Sequence, residues 1–208
     1  MLFYSPGACS LASHIALEET GQPYRAVEVL LATRQQLTAE YLAVNPRGQV
    51  PALIAEGQVL TENTAILTYI GLTNPEVEIF PRETLARAQC ISRMAWLSNT
   101  VHISQRTKVR PYRFVDDETM HAAVSAKGQT NFWENLREID TLAAGQNWLM
   151  GESYTVADPY SLVFYGWGVR NGLPMHELKN FTRLKHQMLE RRAVRTVLER
   201  EKSALIEA

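Results

Sequence analysis

The stretch Asn45-Pro46-Arg47-Gly48-Gln49-Val50-Pro51-Ala52-Leu53 constrains the fold of this chain more than any other. A turn sequence, Asn-Pro-Arg-Gly, runs straight into Val50-Pro51 and then into apolar residues. Proline has no N–H for a strand ladder, so it belongs at a strand start, an edge or a bulge. An X-Pro bond is also where a cis peptide costs little, and folded proteins keep one where a tight turn needs it. A cis Val50–Pro51 bond is therefore expected, with the N–H and C=O of Val50 facing outward. An extended peptide can pair with those groups as an added strand. The expectation is a protein that grips a small peptide by its backbone.

The first third of the chain alternates short strand-like and helical runs. Leu2-Phe3-Tyr4 reads as a strand. Ser10 to Thr20 reads as a helix, with Leu11, Ala12, Ile15 and Ala16 on one face and Gly21 as its stop. Tyr24 to Leu31 suits a second strand, and Gln36 to Val44 a weak helix. Ala52-Leu53-Ile54 and Gln58-Val59-Leu60 flank Glu56-Gly57, a hairpin signal. Asn63 to Leu72 is again helical. The order β-α-β-α-β-β-α suits an α/β layer domain.

Asn74-Pro75 and Phe80-Pro81 mark a linker, after which only helical periodicity remains. Ala88, Ile91, Ala95 and Ser98 form one stripe. Phe132, Leu136, Ile139 and Ala143 form a second, and Val156, Tyr160, Val163 and Trp167 a third. Phe181, Leu184 and Met188 form a fourth, and Val194, Val197 and Leu198 a fifth. An all-helical bundle is expected. The division is residues 1–72, a linker over 73–84, and helices over 85–208. Thr155-x-x-Asp158, followed by Pro159, is a capping box in form: the Thr155 hydroxyl accepts from the Asp158 N–H and the carboxylate reaches back. The run Glu190-Arg191-Arg192 reads as a solvated helix face, and His14, His121, His176 and His186 as scattered and unpaired.

The chain has 208 residues and a net charge of −1, so no broad electrostatic footprint for nucleic acid or an anionic membrane is expected. No apolar run is long enough for a membrane span. Leu2-Phe3-Tyr4 gives way at once to Ser-Pro-Gly, so no secretory leader is expected. Cys9 and Cys90 are the two cysteines, too few for a disulfide framework, and a cytoplasmic protein is expected. Cys90, among Ala88, Ile91 and Met94, is read as a small buried hydrophobe. Cys9 lies at the mouth of the first helix, where unpaired N–H groups and the dipole favour a thiolate. There is no zinc-like Cys/His spacing and no glycine-rich phosphate loop, so no metal is expected.

Four motifs in order carry a family likeness. They are Tyr4-Ser5-Pro6-Gly7-Ala8-Cys9-Ser10, the proline motif, Leu60-Thr61-Glu62-Asn63-Thr64-Ala65-Ile66, and Gly151-Glu152-Ser153-Tyr154-Thr155-Val156-Ala157-Asp158. The chain resembles the bacterial glutathione S-transferases, most closely the beta class with its early cysteine. The resemblance implies an α/β thioredoxin-like N-terminal domain plus an all-α C-terminal domain. It further implies a homodimer and a conjugation of glutathione to small apolar electrophiles, with glutathione as co-substrate and no other cofactor. Two alternatives stay open: a Cys9-dependent glutathione thiol transferase or peroxidase, and a non-catalytic glutathione- or apolar-ligand-binding protein.

The resemblance places Cys9 at the glutathione sulfur. Tyr4 and Ser10 are competing hydroxyl donors to a thiolate, and His102 is a histidine facing the cysteine, with Asn99 one turn earlier. Nothing in the sequence ranks Cys9, Tyr4, Ser10 and His102 against each other. Pro6 stands where a dithiol motif has its first cysteine, so a thioredoxin-type cycle is not expected. Gln49, Val50 and Pro51 are expected to hold the peptide backbone, and Glu62 and Asn63 the γ-glutamyl group. Arg34 or Arg47 is expected to hold the glycine carboxylate. Trp96, Tyr112, Phe114 and Trp167 are candidates for an apolar wall. Arg106, Lys108, Arg110 and Arg113 make the nearby segment more basic than the rest; they are read as solvated, or as an attraction for acidic substrates.

Overall fold

The computed structural model describes residues 1–206. Strands β1 (Leu2–Tyr4), β2 (Ala26–Glu28), β3 (Ala52–Ala55) and β4 (Gln58–Thr61) form a sheet in the order β2-β1-β3-β4. β1 pairs parallel with β2, Leu2 opposite Ala26, and antiparallel with β3, Leu2 opposite Leu53. β3 and β4 form the expected hairpin, with Ala55 opposite Gln58. Glu56 (φ 50°) and Gly57 (φ 75°) are its two turn residues. Positive φ at both is what a type I′ turn requires, because its twist matches that of the strands. Helices α1 (Leu11–Glu19) and α3 (Asn63–Thr73) pack on the sheet, and the short α2 (Ala39–Val44) precedes β3. The second strand is shorter than the sequence pattern suggests. Residues 29–38 turn away and coil into a 3-10 turn before Thr38 caps α2 by accepting from the Tyr41 N–H.

The remainder is helical: α4 (Thr84–Trp96), α5 (His102–Val109), α6 (His121–Leu142), α7 (Ala157–Arg170), α8 (Lys179–Glu190) and α9 (Arg192–Arg200). α7 is central, with residues 157–165 all buried, and α1 packs against both α7 and α9. The stripes on α6 to α9 lie in the core as expected. The stripe on α4 does not. Its core face is Cys90, Met94, Leu97 and Val101, all fully buried, whereas Ala88 and Ile91 are exposed. This helix is apolar on two sides, and the position of α7 decides which side is covered. Cys90 is buried as expected, and burial pushes its thiol up to about 11. A π-helical turn, Leu97–Val101, joins α4 to α5.

Two further readings need correction. Arg191 is not solvated. It holds both carboxylate oxygens of Glu19 (2.7 and 2.9 Å) and lies 3.8 Å from the centroid of the Tyr154 ring, fixing the corner between α8 and α9. His14, unpaired by sequence spacing, has a partner far along the chain. It is fully buried, its Nδ1 2.8 Å from Glu201 Oε1 and its ring centroid 4.5 Å from that of Tyr4, the rings tilted at 50°.

Asp158 closes the start of α7. Its Oδ2 accepts from the Thr155 N–H (2.7 Å) and the Thr155 hydroxyl (3.2 Å), and its Oδ1 accepts from the Leu149 N–H (2.8 Å). The carboxylate reaches back as expected, but the Thr155 hydroxyl accepts from Ala157 rather than Asp158. Asp158 is fully buried, and burial outweighs the three donors, pushing its carboxyl up to about 6.

Candidate active site

A cleft of about 880 Å³ opens between the sheet half and the helical half. The sheet half contributes four segments: Ser5 to Cys9 after β1, residues between Glu28 and Leu37 after β2, Asn45 to Pro51 before β3, and Thr61 to Asn63 between β4 and α3. The helical half contributes one side of the α4–π–α5 rod from Ser98 to Arg110, Arg113 in the turn beyond it, and part of α7.

The proline loop is fastened from within. The Asn45 side chain accepts from the Arg47 N–H (3.1 Å) and donates to the Gln49 carbonyl (2.7 Å), which also accepts from the Tyr41 hydroxyl (2.6 Å). The Val50–Pro51 bond is cis. The Val50 carbonyl is not wholly free, since the Cys9 thiol donates to it across 3.5 Å.

Cys9 stands in the turn just before α1, partly exposed, on the cleft wall. The helix mouth does not make it a thiolate. Burial pushes the thiol up to about 11, and the opposing pull of Arg106 across the cleft is smaller. Removing the charged form from water costs more than the nearby dipoles and cation return.

Ser10 and Tyr4 do not reach the cleft. The Ser10 hydroxyl is buried, accepting from the Ser5 N–H (3.0 Å) and donating to the Ser5 carbonyl (3.2 Å), so it neither caps α1 nor faces a ligand. Tyr4 is outside the cleft lining and packs against His14 on α1, and burial raises its hydroxyl above its usual range.

Asn63 opens α3 and ties two elements together. Its amide donates to the Cys9 carbonyl (2.8 Å) and its oxygen accepts from the Ser13 hydroxyl (2.6 Å). The side chain is thus spent on the scaffold, while the first N–H groups of α3 have no partner within the helix. Glu62 before it sits at φ 69°, ψ 122°, a backbone region that non-glycine residues seldom adopt and that recurs at ligand clamps. Its carboxylate is exposed at the cleft edge, 3.7 Å from Arg47, whose guanidinium also donates to the Thr61 hydroxyl (3.1 Å). Arg34 lies outside the cleft lining, exposed in a left-handed turn.

Asn99 and His102 face these groups from the helical half. Asn99 Oδ1 accepts from the Ser98 hydroxyl at 3.1 Å. Burial, with Arg106 and Arg110 adding, pushes His102 down to about 4, so the imidazole is neutral at neutral pH. Its ring meets Trp167 edge-on at 4.9 Å. Of the expected wall aromatics only Trp167 lines the cleft. Trp96 packs under Arg93 in another groove, and Tyr112 and Phe114 project to solvent.

Three contributors were not singled out from the sequence as site residues. Tyr160 lines the cleft, and burial and the proximity of Cys9 raise its hydroxyl well above its usual range. The loop bearing Cys9 is clamped at Gly7. Its carbonyl accepts from Trp167 Nε1 (3.0 Å) and Arg170 (2.6 Å), and its N–H donates to Glu201 Oε2 (3.1 Å). Trp167 and Arg170 are one helical turn apart on α7, a spacing that sequence does show; nothing local marks Glu201.

A cysteine-bearing loop, a cis-prolyl loop and a helix N-terminus meeting in one cleft sharpen the comparison with known proteins. Glutathione S-transferase GstA of Escherichia coli O157:H7 is 31% identical over 203 residues, covering 96% of this chain and 98% of that protein. The chain belongs to the glutathione S-transferase family. Residues 2–71 match the family's N-terminal domain. A sphingomonad glutathione S-transferase, solved complexed with glutathione, is 36% identical to this transferase and superposes with a TM-score of 0.86, covering 98% of this chain and 99% of that one. The beta class enzyme of Sphingomonas chungbukensis is also 36% identical, with a TM-score of 0.85 over 96% and 98% of the two chains. The likeness to a bacterial, beta-like transferase extends over nearly the whole chain, and so does the two-part architecture. No helix among the described residues is long and apolar enough to cross a membrane.

Proposed function

We propose that this transferase binds glutathione in the cleft and conjugates its thiolate to small electrophiles with an apolar body. The observation that supports this most is the meeting of Cys9, the Val50 backbone and Glu62-Asn63 with Asn99 and His102 in one cleft. The γ-glutamyl ammonium is assigned to Glu62 and its carboxylate to the first N–H groups of α3. The cysteinyl backbone pairs with Val50, beside Gln49 and Pro51, and the glycine carboxylate goes to Arg47 in preference to Arg34. The neutral His102 donates one N–H to the sulfur, with Asn99 beside it, favouring the thiolate over the thiol. The thiolate then attacks the electrophilic carbon, the leaving group departs with its bonding pair, and the thiol proton goes to water.

Cys9, pushed up to about 11, is not a standing thiolate in the open cleft. This favours conjugation over a reaction through Cys9. In a Cys9→Ala variant, conjugation of a chlorinated nitroaromatic is expected to stay within about tenfold of the parent, while any glutathione-dependent disulfide reduction disappears. Conjugation lost along with it would move the reading to a Cys9-dependent thiol transferase or peroxidase. Heat of glutathione binding with no turnover on either substrate would leave a binding protein.

The same reading divides the chain into a glutathione-binding part over 1–72, a linker over 73–84 and a helical part beyond it, in a cytoplasmic homodimer. Leu85 (72% exposed) and Ile91 (38%) give α4 an apolar outer face that no described residue covers. Light scattering is expected to give twice the chain mass; a monomer at working concentration removes the dimer.

A further inference from the structure

Five arginines line the cleft, Arg47, Arg106, Arg110, Arg113 and Arg170, against two glutamates, Glu28 and Glu62. Arg47 pairs with Glu62, and Arg170 is tied to the Gly7 carbonyl. The other three belong to the helical wall. His102, Arg106 and Arg110 follow one another at four-residue spacing along one face of α5 and its end, and Arg113 continues the line in the next turn. Among the described residues no hydrogen bond or ion pair holds the guanidinium of Arg106, Arg110 or Arg113. Arg106 and Arg110 are half-buried, and the charges of Arg113 and Arg110 work against that of Arg106. Asp116, Asp117 and Glu118 follow in sequence but lie outside the cleft, and Asp117 is occupied with Thr119.

Like charges gathered on a partly enclosed wall repel one another unless an anion joins them. Glutathione does not fill that role. The cleft holds three positive charges in excess, and a glutathione thiolate brings two negative charges net, so the cleft stays cationic with the thiol substrate in place. We propose that Arg106, Arg110 and Arg113 form a subsite for a carboxylate, or an anion of like geometry, on the second substrate. The preferred electrophile then has an apolar body against Ile103, Val109 and Trp167 and an acidic group on the arginine line. The inference rests on the conjugation reading and specifies its substrate class.

The test compares a chlorodinitrobenzoate with the matching chlorodinitrobenzamide. In both, the glutathione sulfur bonds to the chlorine-bearing carbon, chloride leaves with the bonding pair, and the thiol proton goes to water. Each kcat/KM is divided by the uncatalysed rate constant for the same pair, which removes intrinsic reactivity. The carboxylate is expected to gain about tenfold over the amide at low salt. The gain should shrink as salt rises, because exposed charges are screened. It should largely vanish in an Arg110→Gln/Arg113→Gln variant. Equal enhancement of acid and amide, or a ratio unmoved in that variant, overturns the subsite.

A second measurement needs no turnover. The two thioether products, made chemically, are titrated into the protein by calorimetry. Both carry the whole glutathione moiety, so a difference in affinity reports on the carboxylate alone. Tighter binding of the acid supports the subsite even if catalysis fails; equal affinity overturns it even if catalysis is seen.

Discussion

Asp158→Ala is expected to lower the stability of the transferase by about 3–5 kcal/mol, because two buried N–H groups and a hydroxyl lose their acceptor together. The Thr155 and Leu149 N–H groups would be left in a fully enclosed corner where water does not replace the lost carboxylate. Asp158→Asn keeps one acceptor and should cost less. The pair also reports on protonation. With the folded carboxyl at about 6 and its ordinary value at 3.8, the folded state binds the proton more tightly than the unfolded one. That contribution is complete below the lower value and is lost as the pH rises through the upper one. The margin of wild type over Asp158→Asn should therefore fall between these two values as the pH rises. Denaturant titrations of both variants across that range measure it. A flat margin would mean that folding does not shift the carboxyl.

Gly128→Ala is expected to cost about 3 kcal/mol and to disturb the cleft without touching it. Gly128 is where α6 meets the backbone of α5. An added Cβ would lie 2.8 Å from the Thr107 carbonyl carbon, 2.9 Å from Lys108 Cα and closer still to the Lys108 nitrogen. These are backbone atoms, which a side-chain rotation cannot clear. The same contact is pinned by the Ser125 hydroxyl on the Lys108 carbonyl (2.8 Å) and the Asn135 amide on the Ser104 hydroxyl (3.0 Å). Relief has to come from moving α5, and α5 carries His102 and Arg106. Conjugation should therefore fall along with the denaturation midpoint. Gln129→Ala, at the exposed neighbouring position, should stay within about 0.5 kcal/mol of the parent. A Gly128→Ala protein of wild-type stability and activity would show that the two helices can part freely.

Much of this architecture is readable in residue order. The hairpin, α1, α3 and the stripes of α6 to α9 follow from local periodicity and turn chemistry, and the Cys9 loop, the proline loop and Glu62-Asn63 are contiguous motifs. What failed needed the folded backbone rather than residue order. Tyr4 lies outside the cleft lining because alternation along β1 and its pairing with β2 and β3 set its side; Phe3, its neighbour, meets Tyr41 instead. Ser10 reads as a donor to a thiolate, yet Ser5, five residues back in its own loop, takes both its bonding capacities. On α4 two apolar faces compete, and only the packing of α7 selects one. The basic character of residues 106–113 is visible in the sequence, whereas the lack of a hydrogen bond or ion pair to Arg106, Arg110 and Arg113 among the described residues needs the folded arrangement.

The Gly7 clamp joins positions 194 residues apart, from the first loop to the residue that follows α9. During synthesis the Cys9 loop is made long before Glu201. A nascent chain can have its sheet, its prolyl turn and most of its helices and still lack the carboxylate that fixes this loop. The Cys9 loop therefore gains this anchor only once α9 has been made, and loss of Glu201 would free the Gly7 N–H while Trp167 and Arg170 still hold its carbonyl.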